Sequence, residues 1–203
     1  MRQKLIWLAG ILIGAAVGLS PSYAGLVGMP IGLQKAAQRI KFDRLTMPPM
    51  AYLQFCARYQ NDCHKQNMFR RGPVRFTMER WAELKEVNQQ VNRQIVPERN
   101  DLGITAERWL VAPERGDCND YAVTKRHELL ELGWPARALL LSEVEMRSGE
   151  HHLVLVVRTT GGDLVLDNLS AEIKPWSSAP YRWVRMQSPE HSRVWATIAS
   201  NRV

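Results

Sequence analysis

The chain has 203 residues, 45% of them hydrophobic and 23% charged, with 27 Lys and Arg against 20 Asp and Glu for a net charge of +7. This length and apolar content exclude a disordered segment and leave room for one domain with a real core. The basic residues are scattered, Arg70, Arg71, Lys125, Arg126, Arg182 and Arg185 among them, and form no dense run interleaved with aromatics, which argues against nucleic acid as a partner.

Arg2 and Lys4 precede the apolar run LIWLAGILIGAAVGL at 5–19, which ends in SPSYA with small residues at Ser22 and Ala24. That is the layout of a cleavable signal peptide, and the run is short for a membrane span. The expectation is a signal peptide over residues 1–24, a mature single domain over 25–203, and export to the periplasm. Residues 25–47 read as a surface arm or an edge element. After Pro48-Pro49, MAYLQFCARY has helical spacing of apolar residues.

Cys56 and Cys63 lie seven apart, about 10 Å on one unbroken helix, beyond the roughly 4.4–6.8 Å that a disulfide spans between Cα atoms. Asn61-Asp62 is turn chemistry and can fold Cys63 back, so a Cys56–Cys63 bridge is expected, with Cys118 as the odd thiol. In FTMERWAELKEVNQQVNRQI, Trp81, Leu84, Val87, Val91 and Ile95 recur at steps of three and four, marking an amphipathic helix that Pro97 ends.

ITAERWLV at 104–111 reads as a short helix, with Trp109 either walling a cleft or packing in the core. GDCNDYA follows, where Asp117 has the character of an N-cap and Asp120 that of a capping-box carboxylate. The helix so started runs through AVTKRHELLEL, with His127 on its polar side, and stops at Gly133. Then RALLLSEVEM, HHLVLVVRTT and DLVLDNL alternate with the turn sequences RSGE and TTGG and read as antiparallel strands, followed by a final strand and a loose C-terminal tail. Helices followed by an antiparallel meander make an α+β fold.

Cys118 falls in the first turn of its helix, where free amides and the macrodipole favour a thiolate, while the flanking carboxylates oppose it. A nucleophile needs a base and an orienting group. Asp167 interrupts an apolar strand, where an unpaired carboxylate is costly. A two-residue loop at Thr160-Gly161 pairs strand positions whose numbers sum to 321, and a four-residue loop gives 319. In either register His152 and Asp167 share a face, directly or diagonally opposed, and His151 points away. A three-residue loop would separate them.

GDCNDYA with Trp109 upstream, His152 opening HLVL, and Asp167 in LDN resemble the bacterial transglutaminase-like cysteine peptidase family of LapG-type periplasmic proteases, over roughly Cys56 to Arg185. The resemblance implies a papain-like/transglutaminase-like core in which the nucleophile helix packs on an antiparallel sheet. It also implies a cysteine peptidase with Cys118 as nucleophile, His152 as base and acid, and Asp167 as orienter of the imidazole. By the same resemblance the substrate is a protein, a large secreted biofilm adhesin, and a regulatory partner sits at the inner membrane. LapG-type members are calcium-dependent, with an acidic residue on each side of the nucleophile. Here Asp117 is followed after Cys118 by Asn119, which carries no charge, so calcium near Asp117 is expected to bind weakly and no cofactor is expected to be required. Two other functions use the same residues: amidase or transglutaminase acyl transfer, and a catalytically silent binding module.

Overall fold

The computed structural model describes residues 39–63, 72–99 and 107–199. The expected signal peptide and most of the expected arm lie outside these residues. No described helix is long and apolar enough to cross a membrane.

The chain enters as β1 (Phe42–Thr46), the helix α1 (Met50–Arg58), a single turn α2 (Gln60–Cys63) and the long helix α3 (Met78–Gln94). Two short parallel strands, β2 (Val96–Pro97) and β3 (Arg115–Gly116), lead into α4 (Cys118–Glu131). The rest is β4 (Leu139–Glu145), β5 (His151–Thr159), β6 (Gly162–Leu166), β7 (Lys174–Pro175), β8 (Arg182–Gln187) and β9 (Trp195–Ile198). Seven strands form one antiparallel sheet in the order β1-β9-β8-β4-β5-β6-β7. This is the expected α+β arrangement, with α4 packed on β4 and β5.

Strand alternation divides the sheet's two faces. Leu139, Leu141, Leu153, Leu155, Val157, Leu164 and Leu166 join Leu84, Val87, Val91 and Leu129 in the core under the helices. Leu140, Val144, Val154, Val156 and Val165 point to a second, smaller core with Trp176 and Met186.

The disulfide Cys56–Cys63 is present with its Cα atoms 5.5 Å apart. The break that permits it falls at Tyr59, the C-cap of α1, and not at Asn61-Asp62, which lie inside α2. Two further expectations are corrected. Residues 107–111, the described part of the expected helix at 104–111, are irregular, because their backbone amides bond to side chains of neighbouring helices. Where one final strand was expected the C-terminal stretch forms two: β9 lies between β1 and β8, and Trp195 is fully buried, while residues 200–203 of the expected tail lie outside the described residues.

The helix α4 is also not amphipathic in the expected sense. It is buried nearly all round, Lys125 and Arg126 included, and His127 is half-buried against Asp62 at 3.0 Å. Arg126 spends its guanidinium on the carbonyls of Asp62 (2.7 Å) and Leu139 (3.0 Å). The Lys125 amine has no hydrogen-bond partner among the described residues. Burial depresses its pKa from 10.5 to about 7, opposed by the Asp167 carboxylate.

Above about pH 10.5 Lys125 is neutral whether folded or not. As pH falls toward about 7 only the unfolded chain takes up that proton, so this side chain progressively costs stability, and below about 7 the cost is constant. Lys125→Met is therefore expected to raise stability at pH 7 by on the order of 5 kcal/mol, with this pH-dependent part of the gain vanishing toward pH 10.5. Denaturant unfolding across that range checks it, and no gain at pH 7 would mean the amine is satisfied. For the bridge, replacing Cys56 and Cys63 together by Ser is expected to cost about 2 kcal/mol through loop entropy, read by the same unfolding experiment.

Candidate active site

Three elements deliver the site. The first is the start of α4. Asp117 is its N-cap and accepts from the Asn119 amide (2.9 Å), while the Asp120 carboxylate reaches back to the Asp117 amide (3.0 Å), closing the expected capping box. Gly116 makes this geometry available, since a Cβ there would sit 2.4 Å from Asp120 Oδ2. Cys118 takes the first helical position, where an amide has no acceptor within the helix.

The second element is β5. Its register with β6 pairs Thr159 with Gly162 and Val157 with Leu164, the two-residue loop with sum 321. Pairing ends at Leu155 with Leu166, so β5 runs on toward His151 without its β6 neighbour. On that open edge the Leu153 amide comes near enough to the Cys118 thiol to oppose the rise of its pKa. The third element is the turn after β6, which carries Asp167. As parity requires, His152 and Asp167 share a face, and His152 Nε2 lies 2.9 Å from Asp167 Oδ1, both residues buried. His151 points outward to Glu143.

Asp167 is held from several sides. Its Oδ1 also accepts from the Leu169 amide (3.0 Å), and its Oδ2 accepts a short bond from the Tyr181 hydroxyl. Burial pushes the Asp167 carboxyl up, but His152, Tyr181 and Leu169 together hold it below the usual carboxylate range. The Tyr181 ring lies tilted against His152 with centroids 5.6 Å apart. From α3, Asn92 Nδ2 donates to the Asp167 carbonyl (2.9 Å) and Asn88 Nδ2 to the Ala171 carbonyl (3.2 Å), fixing the turn from below. Tyr181, Asn88 and Asn92 were not expected from the sequence. The two asparagines, spaced i,i+4 beside Val87 and Val91 on the core-facing stripe, carried a readable signal, whereas Tyr181 carried none.

Around Cys118 the field is acidic. Burial pushes its thiol up to about 12; the Leu153 amide opposes this, and the carboxylates of Asp117, Glu107 and Asp167 add to the rise. The resting sulfur is thus a thiol that needs a base to become nucleophilic. Trp109, only 3% exposed, packs on Tyr52 and Phe55 and belongs to the core.

The donor set beside Cys118 does not fit a calcium centre. Asn119 turns its amide Nδ2 to Glu107 Oε1 (2.6 Å), which also accepts from Trp109 Nε1 (3.0 Å), so that carboxylate oxygen is already engaged by neutral donors and Asn119 adds no charge. Among the described residues no group of three or more His, Cys, Asp or Glu is placed to hold a metal ion. Asn119→Asp is expected to set three carboxylates against one another and so to create a calcium-dependent rise in melting temperature. The wild-type protein is expected to melt at the same temperature with chelator or with millimolar calcium. A wild-type rise on adding calcium would show that other residues bind it.

No curated protein matches the sequence. Among solved structures, Legionella pneumophila LapG is similar with a TM-score of 0.48 and 22% identity, over 57% of this chain and 66% of that one. Its calcium-bound form is similar with a TM-score of 0.50 and 23% identity, over 61% and 73%. The chain thus spans about two thirds of the length of these proteins, and at such identity the likeness is one of fold. The sequence profile described as "Bacterial transglutaminase-like cysteine proteinase BTLCP" matches residues 42–203, from the first residue of the edge strand β1 through α4 and the whole sheet. With a cysteine opening the buried helix of that span, the chain belongs to the bacterial transglutaminase-like cysteine proteinases.

Proposed function

We propose that Cys118, His152 and Asp167 form the catalytic triad of this cysteine proteinase. The observation that supports it best is the pairing of His152 Nε2 with Asp167 at 2.9 Å, one residue from Leu153, whose amide opposes the rise of the Cys118 pKa. With Nε2 committed to Asp167, Nδ1 is the nitrogen left to serve the thiol.

In this reading Nδ1 takes the Cys118 proton as the sulfur attacks the scissile carbonyl carbon. The resulting oxyanion draws on the Cys118 amide at the helix start. Collapse breaks the C–N bond, and the imidazolium gives its proton to the departing amine, leaving a thioester on Cys118. His152 then deprotonates a water that attacks the thioester, and the sulfur leaves with the proton returned. Asp167 fixes the tautomer and stabilises the imidazolium in both halves. Tyr181, by holding Oδ2, positions Asp167 for this role.

The substrate is a protein. Following the family resemblance, we take it to be a large secreted surface adhesin, met in the periplasm by an enzyme of residues 25–203 acting as one catalytic domain, under an inner-membrane regulatory partner. Comparing the released surface proteins of cells with and without the enzyme tests the substrate assignment. Adhesin shed in both cases would exclude it.

For the triad, Cys118→Ala and His152→Ala are each expected to lower hydrolysis by about 1,000-fold or more with unfolding curves unchanged, while His151→Ala keeps most activity. Cleavage of a denatured-protein substrate, followed by mass spectrometry, measures all three. Equal losses for the two histidine variants would overturn the assignment of the base.

A further inference from the structure

Asp167 and Tyr181 also line a cleft of about 580 Å³ on the face of the sheet away from α4. Its other walls come from the β4–β5 turn at Met146 and Arg147, the loop following Asp167, and Ala179-Pro180. Met146, Leu169 and Pro180 give it apolar surface, and the Leu169 side chain is 60% exposed.

The charges around the cleft are unevenly spent. Lys174 pairs with Glu172 (3.3 Å), Arg99 with Glu150 (3.6 Å), and Arg182 with Glu145. Arg147 takes part in none of the ion pairs or hydrogen bonds among the described residues, stands exposed, and borders the cleft. A forked cation at the mouth of an apolar cleft is suited to a carboxylate carried on an otherwise apolar segment. The place of the cleft says which segment. The imidazole must hand its proton to the leaving amine, so the departing part of the substrate lies on the His152 side, and a few extended residues at about 3.3 Å each carry it past Asp167.

We infer that this cleft is a subsite for the part of the substrate C-terminal to the cut, seating an apolar side chain against Met146, Leu169 and Pro180 and an acidic side chain on Arg147. The inference rests on the triad reading, and the test separates the two. Cys118→Ala protein is titrated into two fluorescein-labelled octapeptides, one alternating leucine and glutamate and one alternating leucine and glutamine, with anisotropy as the readout. The glutamate peptide is expected to bind about fivefold tighter, and the difference to disappear in Cys118→Ala/Arg147→Glu. Equal binding of the two peptides, no binding of either, or a difference that survives Arg147→Glu would overturn the subsite. In parallel, wild-type protein digests a peptide library and the cut sites are read by mass spectrometry. Cuts followed by an excess of Asp and Glu support the subsite. Cuts without that excess overturn it while leaving the proteinase intact, and an uncut library contradicts the triad reading.

Discussion

The end of β6 pairing at Leu155 and Leu166 is the constraint on which the site depends. Past that point β5 keeps its β4 neighbour but presents an open edge, and the Leu153 amide on that edge acts on the Cys118 thiol, opposing the rise of its pKa. The same departure frees residue 167 to turn its carboxylate back toward His152. A β6 two residues longer would occupy the edge with backbone and leave the cysteine nothing to meet. One strand end therefore brings together a helix start, a histidine and an aspartate that lie far apart in sequence.

Bringing a helix start to that edge requires α4 to be buried along most of its length, and the surrounding polar groups are organised to permit it. The irregular segment before β3 is laced to the helix by Leu110 to Asp120 (2.7 Å) and Ala112 to Thr124 (2.9 Å). Tyr121 reaches the Ile95 carbonyl at the end of α3 (2.5 Å), and Arg126 ties the disulfide-closed turn to β4. These bonds fix the start of α4, where the carboxylates of Asp117, Glu107 and Asp167 raise the Cys118 pKa. Under the proposed triad, such a thiol would depend on the imidazole to become active, which is the division of labour a triad needs.

The parts of this arrangement that were legible in the sequence are those set by local geometry. The capping box at Asp117 and Asp120 is a four-residue pattern, and the pairing of His152 with Asp167 follows from a period of two for a turn of two or four residues, of which the structure has two. What was not legible depends on partners distant in the chain. Polar residues of α4 read as a solvent face because Lys, Arg and His usually are one, yet here Arg126 and His127 find Asp62 some sixty residues away. Tyr181 meets Asp167 only once the chain has passed through β7 and turned back, and residues 107–111 lose their helix to side-chain acceptors on α1 and α4. The short β9 shows no strong alternation and is strand only because β1 and β8 flank it.

The dependence of Cys118 on His152 can be measured without any substrate, as the rate of carboxymethylation by iodoacetamide against pH. The account predicts that the wild-type thiol reacts at pH 7, and that His152→Ala removes this reactivity until the pH rises well above 9, where the thiol ionises on its own. Superimposable curves for the two proteins would show that the imidazole does not serve the sulfur, and the triad would fall with it.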